Sequence, residues 1–294
     1  MESATDTFVA HRNLLFTVAY EMLGSAADAE DVLQETWLRW VGVDLTTVRD
    51  ERAYLVRIVT RQALDRLRAV GRRRESYVGP WLPEPLLTAP DVAEDVELAD
   101  SISTAMLLVL ETLAPIERAV FVLREVFDLP YDEIAEAVDK SSAAVRQIAY
   151  RSRTHVAARR PRGRTVSAAE SDAALSAFQR AVSTGDLQGL LDILAPDVVA
   201  LSDGGGVRHA LLRPIVGAAK LGRLLAAVWH RRIAGRSFEP IQVNGGPGLL
   251  VRENGKVDGV VALRISNGFV TGLYNVRNPA KLSHVERETA LSRA

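Results

Sequence analysis

A row of hydrogen-bond donors near the middle of the chain offers the clearest chemistry in this sequence. The donors are Ser142, Arg146, Gln147, Tyr150, Arg151 and Arg153. Arginine and glutamine side chains can bind base edges in the major groove of DNA, and the other donors can bind phosphate oxygens. The stretch from position 146 to position 164 contains seven arginines and no acidic residue. These residue types predict a surface that binds DNA.

Two short helices joined by a tight turn must position these donors. The first is predicted over 131–138, after Pro130, and the turn follows at 139–141. Ser141 or Ser142 can cap the second helix. Its inward-facing stripe is predicted to contain Val145, Ile148, Ala149, Ser152 and Val156. This pattern is typical of a helix-turn-helix, whose second helix enters the major groove. The alternative is a structural helical hairpin with a solvated basic face.

A second basic row lies on a helix predicted from about Glu51 to Val70. At about 100° per residue, its arginines fall in one sector of the helix. They are Arg57, Arg61, Arg68 and Arg72. Because four like charges on one face lower stability unless an anion lies against them, the row predicts a track for DNA phosphates. A solvated charged face is the alternative interpretation.

An acidic face lies on the helix that Ser25 is predicted to cap. Its polar side contains Asp28, Asp31, Gln34 and Glu35. Such a face usually serves solubility, and docking of a partner protein is the alternative.

The composition of the 294-residue chain allows two or three domains, and its net charge of -1 hides a strong segregation of charge. Residues 57–74 contain seven arginines and one aspartate, whereas residues 83–100 contain six acidic residues and no basic residue. There is no cysteine, which excludes a disulfide framework or a thiolate metal site. We find no signal peptide and no apolar run of roughly 18 residues. We therefore expect a soluble cytoplasmic protein that makes no membrane contact.

The pattern after Arg164 changes to that of an α+β domain. Helices are predicted over 172–182, 187–194 and 217–232, and strands over 198–201, 239–243, 248–252, 257–265 and 269–276. Two Asn-Gly pairs, at 254–255 and 267–268, predict hairpins. We therefore expect helices packed on a curved antiparallel sheet with a concave side.

Few residues of this half could move a proton. The candidates are Asp203, His209, His230 and Tyr274. Asp203 lies in a glycine turn, where aspartate commonly binds its own backbone, and no Asp/His pair is evident. We therefore predict no catalytic residue, no metal site, no cofactor and no enzymatic activity.

Three segments together resemble the extracytoplasmic-function (ECF) sigma factors of bacteria. They are YEMLGSAADAEDVLQETWLRW at 20–40, RAYLVRIVTRQALDRLRAVGRRRE at 52–75, and the helix-turn-helix. The resemblance implies that the acidic helix docks on RNA polymerase core, with the beta and beta-prime subunits as partners. It also implies that the arginine-rich helix handles the promoter -10 element and that the helix from Ser142 to Val156 reads the -35 element.

The C-terminal half resembles the SnoaL-like branch of the nuclear-transport-factor-2-like cone fold, which a subgroup of ECF sigma factors carries as an extension. The resemblance rests on WLPEP at 81–85, DGGGV at 203–207 and NPAKL at 278–282. It implies a sigma factor regulated by its own extension, with no separate anti-sigma protein. We expect the DGGG turn to contact the WLPEP linker. The predicted regulatory residues are Trp81, Leu82, Pro83, Glu84, Pro85, Asp203, Gly204, Gly205, Gly206, Asn278, Pro279 and Lys281.

These observations predict a multidomain chain with two all-α domains, the second a helix-turn-helix, followed by an α+β cone-like SnoaL-type domain. The predicted boundaries are 1–76, a linker at 77–101, 102–164 and 165–294. The leading interpretation is a transcription initiation factor that binds polymerase core and promoter DNA. The alternatives are a one-component, ligand-responsive helix-turn-helix regulator and an enzyme fused to a nucleic-acid-binding module. Whether a small ligand occupies the cone is left open, as are the promoter sequence, the inducing signal and the oligomeric state.

Overall fold

The computed structural model describes residues 2–74, 77–89, 92, 95–160, 167–233 and 235–293. Within these residues, helices build the N-terminal half and a single sheet with three helices builds the C-terminal half.

The N-terminal helical part is built around the contact of three helices. They are α1 (Glu2–Leu23), α2 (Ala26–Trp40) and α3 (Glu51–Arg74). Gly24 ends α1 with a φ of 65°. Ser25 then caps α2, since its Oγ accepts a hydrogen bond of 3.1 Å from the Asp28 amide. The apolar stripes of the three helices meet in a core that includes Val18, Trp40 and Val59.

The second helical part contains the predicted helix-turn-helix. Its elements are α4 (Val96–Ile102), α5 (Thr104–Leu110), α6 (Pro115–Phe121) with a π-helical turn at Val122–Val126, α7 (Tyr131–Val138) and α8 (Ser142–Arg159). Asp139 takes the left-handed conformation, with a φ of 53°, and Ser141 caps α8. Both helical parts share one hydrophobic core, in which α3 packs against α6 and α7.

The C-terminal part is an eight-stranded sheet with helices on one face. The strands are β1 (Leu87–Thr88), β2 (Leu194–Asp203), β3 (Ile215–Val216), β4 (Arg236–Val243), β5 (Gly246–Glu253), β6 (Lys256–Ser266), β7 (Phe269–Val276) and β8 (Glu288–Thr289). The helices are α9 (Ala168–Thr184), α10 (Leu187–Ile193) and α11 (Ala218–Ile233). The strand order is β3-β2-β7-β6-β5-β4-β1-β8.

The predicted hairpins are confirmed, but the prediction of a purely antiparallel sheet is wrong. Asn254 and Asn267 have positive φ values of 52° and 51°, and the strands that they join are antiparallel. However, β2 is parallel to β7, and β1 is parallel to β8. Parallel pairing requires a long connection, which α11 and the meander from β4 to β6 provide between β2 and β7.

The segment predicted as the linker is more ordered than its composition suggests. Residues 82–86 are all buried, and β1 joins the edge of the sheet beside β4. Helix α4 occupies the acidic end of the segment, where Asp95 caps it through a 3.0 Å hydrogen bond from the Leu98 amide. Asp95 and Glu97 therefore lie at the beginning of a helix, where negative charge is favourable.

The two faces of the sheet have different neighbours. On one face, Leu249 and Leu263 pack under α9 and α11 in a core of their own. On the other face, Val243, Val260 and Tyr274 form a cluster with Leu82 of the linker and with Ala105 of α5. The sheet is therefore the common wall between its own helices and the N-terminal half.

A buried carboxyl group in α1 leads to a prediction about pH. Glu21 is fully buried, and its Oε1 accepts a 2.7 Å hydrogen bond from Ser101. Burial raises the pKa of Glu21 to about 8, although Ser101 and the charges of Arg118 and Arg293 lower it and Asp100 raises it slightly. In the unfolded chain, the glutamate pKa is about 4.3. At a pH between these two values, Glu21 is therefore protonated in the folded protein and ionised in the unfolded chain.

We expect the stability of the wild-type chain to fall, relative to Glu21→Gln, as pH rises from about 5 to 8. The glutamine resembles the protonated acid and removes this loss, so the variant should gain a few kcal/mol at the upper pH. Urea denaturation at both pH values measures the difference. Glu30→Gln on the surface of α2 is the control. A Glu21→Gln difference that is equal at both pH values contradicts the prediction.

Candidate nucleic-acid interface and interdomain clasp

The outward face of α8 carries the predicted donors, because the inward face is the predicted apolar stripe. Val145, Ile148, Ala149, Ser152 and Val156 are the buried residues of this helix. Arg146, Gln147, Tyr150 and Arg151 are exposed and border one shallow surface depression. The exposed fraction of Tyr150 is 71%. Four adjacent donors on a protruding helix can reach a DNA groove.

Two other predicted donors on α8 make bonds within the protein. Arg153 Nη2 donates a 2.7 Å hydrogen bond to Glu125, and Ser142 Oγ donates to Asp132. The Glu125 pair fixes α8 on the π-helical turn, and the Asp132 bond ties α8 to α7. Sequence analysis did not distinguish these positions from their exposed neighbours, because both kinds fall on the polar side of the helix.

The predicted arginine row on α3 is divided. Arg57 Nη1 lies 3.1 Å from Glu136 Oε2 in α7. Arg61 Nη2 donates a 2.7 Å hydrogen bond to the Glu136 carbonyl, which belongs to the last turn of α7. Carbonyls there lack partners within the helix, so they attract a guanidinium group. Arg68 is exposed and pairs with Asp65, and the Arg72 side chain lies outside the described residues.

The phosphate track expected on these four arginines stays a prediction, and two of them bind α7 in this arrangement. The first two arginines bind α7, and Arg61 remains exposed to solvent while it does so, as does Arg68.

The acidic face of α2 is also partly occupied. Arg66 of α3 donates hydrogen bonds to the two carboxylates near the beginning of α2, at 2.7 Å to Asp28 and 2.8 Å to Asp31. Gln34 and Glu35 are exposed. Beside them, on the same face, the exposed fraction of Leu38 is 64%. Sequence analysis did not single out this leucine, and one exposed apolar residue is common on protein surfaces.

The DGGG turn and the WLPEP linker meet at Asp203, which is fully buried. Its Oδ2 accepts hydrogen bonds from the Leu82 amide at 2.9 Å and from Lys281 Nζ at 2.8 Å. Its Oδ1 accepts a 2.6 Å bond from the Tyr77 hydroxyl, and that hydroxyl accepts a 2.8 Å bond from Asn278 Nδ2. We name these five residues, Tyr77, Leu82, Asp203, Asn278 and Lys281, the clasp.

The backbone around the clasp explains the residue types found there. Gly205 has a φ of +61°, and a Cβ atom at this position would lie 2.4 Å from the Asn278 side chain. Glycine is therefore required. Gly204 and Gly206 flank it in the same turn. Pro279 begins a short 3₁₀ turn that brings Lys281 Nζ to within 2.5 Å of the Leu82 carbonyl.

The rest of the linker binds the N-terminal half. Glu84 Oε2 accepts hydrogen bonds of 2.7 Å and 3.1 Å from the amides of Ala26 and Ala27, so its carboxylate lies at the N-terminus of α2. Trp81 lies against Gly24, and the ammonium group of Lys281 lies 4.1 Å from the centre of its ring. Pro83 and Pro85 are buried on either side of Glu84.

Sequence analysis missed Asn244, which joins all three parts. Its Nδ2 donates to the Tyr20 hydroxyl at 2.5 Å and to the Ile102 carbonyl at 3.1 Å, and its Oδ1 accepts from the Leu86 amide at 3.1 Å. Asn244 and Gly245 form an Asn-Gly hairpin between β4 and β5. The dipeptide could have been found in the sequence, but its contacts could not.

Comparisons with known proteins decide the family. Family models for Sigma-70 region 2 and Sigma-70 region 4 match residues 7–73 and 103–156. The chain is 35% identical over 292 residues to the ECF RNA polymerase sigma factor SigJ of Mycobacterium tuberculosis, and the match covers 94% of this chain and 92% of that protein. This chain belongs to the ECF sigma factors.

Further comparisons support the assignment to the ECF sigma factors. The probable ECF RNA polymerase sigma factor SigI of Mycobacterium tuberculosis is 32% identical over 282 residues, with 95% of this chain and 94% of that protein covered. The crystal structure of Mycobacterium tuberculosis SigJ matches with a TM-score of 0.77 and 31% identity, over 96% of this chain and 99% of that chain. The likeness therefore includes the C-terminal SnoaL-like domain.

Membership in the ECF sigma factors settles the broad function. An ECF sigma factor directs RNA polymerase to promoters and is not an enzyme. The one-component regulator is not favoured, because the matches cover region 2 as well as region 4. No helix among the described residues is long and apolar enough to cross a membrane, and no cluster of metal-ligating side chains was found among them.

The structure separates the residues that could have moved a proton. Asp203 lies in the clasp, His209 lines a cavity inside the cone, and Tyr274 is buried on the opposite face of the sheet. The His230 side chain lies outside the described residues.

Proposed function

We propose that the C-terminal domain of this sigma factor controls transcription by holding its two DNA-binding parts in a closed arrangement. The clasp is the single observation that carries the proposal. Through it, the sheet holds the linker that connects region 2 to region 4. In this arrangement the guanidinium groups of Arg57 and Arg61 are engaged by Glu136 of α7 and not by a phosphate.

Promoter binding then requires the two parts to separate. In the open form, α3 presents Arg57, Arg61, Arg68 and Arg72 to the -10 element. Helix α8 reads the -35 element with Arg146, Gln147, Tyr150 and Arg151, while Ser142 and Arg153 support it. Asp28, Asp31, Gln34 and Glu35 of α2 bind the polymerase core, with Leu38 as an apolar anchor. Release of Arg66 from Asp28 and Asp31 frees this surface.

The proposal places the chain in the cytoplasm, with RNA polymerase, and makes a separate anti-sigma protein unnecessary. The contacts that anchor the linker support it, because they join residues more than a hundred positions apart in sequence. The bonds from Leu82 to Asp203 and from Lys281 to Leu82 span 121 and 199 residues. These contacts hold a segment that precedes the helix-turn-helix against residues that follow it.

We expect Tyr77→Phe to change run-off transcription by purified polymerase core at least threefold, with little effect on folding. The variant removes one hydroxyl that bridges Asp203 and Asn278. A lost hydrogen bond of this kind costs about 1 kcal/mol. The template is a promoter selected from a randomised library with the full chain and core.

Tyr274→Phe is the matched control, since it removes a hydroxyl from the same domain outside the clasp. Equal transcription by the wild type and Tyr77→Phe contradicts control through the clasp. If the wild-type chain yields no transcript with any selected promoter, it has not initiated transcription as a sigma factor. That outcome would also contradict the residue roles proposed above.

A further inference from the structure

A cavity of about 360 Å³ lies inside the C-terminal domain, between the sheet and its helices. Its walls are mostly apolar, with Phe178 from α9, Leu221 and Leu225 from α11, and Leu249 and Val261 from the sheet. Sites that hold small molecules have volumes of roughly 300–1,000 Å³ and the same apolar character. The cavity thus has room for a small organic molecule.

One end of the cavity is charged. Asp258 accepts hydrogen bonds from Arg277 Nη2 at 2.8 Å and lies 3.0 Å from Arg236 Nη2. Arg277 also donates a 2.6 Å bond to the carbonyl of His209. Burial raises the pKa of Asp258, but the bonds and charges of the two arginines outweigh it and the pKa lies below its ordinary value. Asp258 is therefore ionised and unsuited to accept a proton.

The positive charge at this end exceeds the negative charge. Two guanidinium groups are buried there beside one carboxylate, with exposed fractions of 11% for Arg236 and 8% for Arg277. The nearest further carboxylate is that of Glu253, which is 43% exposed and binds Arg236 from outside at 3.2 Å. Water screens the charge of Glu253 more than that of the buried groups. An anion in the cavity would be attracted to Arg236.

One nitrogen of Arg236 lacks a hydrogen-bond acceptor, although its Nη2 binds Asp258 and Glu253. Its Nε is buried and has no partner among the described residues. A buried donor without a partner destabilises the folded chain. A carboxylate beside the guanidinium group would supply the acceptor, because the planar fork of arginine matches the two oxygens of a carboxylate.

We propose that this cavity binds an apolar monocarboxylate, whose apolar body fills the space between the sheet and α11 and whose carboxylate binds Arg236. Arg277 is a positioning residue in this site, because it holds Asp258 and the His209 carbonyl in place. The amide of Asn275, which also lines the cavity, gives the ligand a second polar neighbour.

The site is joined to the clasp through the last two residues of β2 and the two residues that follow β7. Ser202 and Arg277 line the cavity, and the residues that follow them, Asp203 and Asn278, belong to the clasp. The Arg277 amide donates a 2.7 Å hydrogen bond to the Asp203 carbonyl. Successive residues of a strand point to opposite sides, so a ligand displaces the same backbone that holds the linker. This regulatory consequence rests on the proposed function, whereas binding itself does not.

The test is isothermal titration calorimetry of the full chain with octanoate, 1-octanol and octylamine. We expect one octanoate per chain, bound at least tenfold more tightly than 1-octanol, and no saturable binding of octylamine. Arg236→Met should weaken octanoate binding at least tenfold and leave 1-octanol binding unchanged. Arg252→Met, which changes an arginine on β5 outside the cavity, is the matched control and should bind octanoate like the wild type.

A second variant guards against misfolding of Arg236→Met. Leu225→Trp places an indole in the cavity without changing its charge, and we expect it to abolish binding of octanoate and 1-octanol. No saturable octanoate binding, equal affinity for octanoate and 1-octanol, or octanoate binding that survives Leu225→Trp would each overturn the site. Octanoate binding that leaves run-off transcription unchanged overturns only the link to the clasp.

Discussion

Replacing Asp203 with asparagine is expected to destabilise the folded chain by about 3 kcal/mol, because it leaves the Lys281 ammonium group buried without its counter-charge. The carboxylate accepts bonds from Lys281, Tyr77 and the Leu82 amide in a site without solvent exposure. An asparagine can accept bonds through only one atom and carries no charge. Urea denaturation gives the free energy of unfolding, and limited proteolysis of the linker at 77–88 reports its release.

A double-mutant cycle separates the ion pair from general damage. Lys281→Met alone leaves the Asp203 carboxylate buried and should cost a similar amount, whereas Asp203→Asn with Lys281→Met should regain part of the loss. Disruption of the surface pair Arg252–Glu286, which spans 2.9 Å, should cost less than about 1 kcal/mol. If Asp203→Asn costs no more than the surface control, the clasp does not hold the linker.

Locking α3 to α7 should abolish transcription, which is the second large effect we expect. The native chain has no cysteine, so Arg57→Cys with Glu136→Cys introduces the only two thiols. The native side chains at these positions approach within 3.1 Å, and a short bis-methanethiosulfonate can join the thiols. Because the locked chain cannot separate its two DNA-binding parts, we expect at least a tenfold loss of run-off transcription, restored by dithiothreitol.

The matched control ties two helices within the first part. Arg12 of α1 and Glu30 of α2 form an exposed pair at 2.8 Å, and Arg12→Cys with Glu30→Cys takes the same cross-linker. This lock should leave transcription unchanged. Full activity of the Arg57–Glu136 lock would mean that the closed arrangement is itself the active one.

Local chemistry made the helix-turn-helix predictable. The stripe from Val145 to Val156 follows the period of a helix, and Ser141 is the one of the two candidate serines that caps it. The hairpins at Asn254 and Asn267 were equally evident, since positive φ angles favour Asn-Gly pairs. These features depend on neighbours in sequence, which a single chain displays.

The contacts that close the molecule depend on distant residues, and the sequence did not reveal them. Arg61 looked like its neighbours in the basic row, yet it binds the last carbonyls of α7, which lie 75 and 76 positions away. Asn244 meets Tyr20 across 224 positions. The contact between the DGGG turn and the WLPEP linker was expected. It did not indicate that Asp203 would bind Lys281 or that Glu84 would cap α2.

Domain exchange between sigma factors would have to carry residues 77–88 together with the sheet. Tyr77 and Leu82 bind Asp203, Leu86 binds Asn244, and β1 pairs with β4 and β8. A C-terminal domain transplanted alone would meet a linker that lacks these partners. The C-terminal module is therefore discontinuous in sequence, because it includes a short stretch before the helix-turn-helix and the whole region after it. These two pieces are expected to have evolved together, with the DNA-reading helices inserted between them.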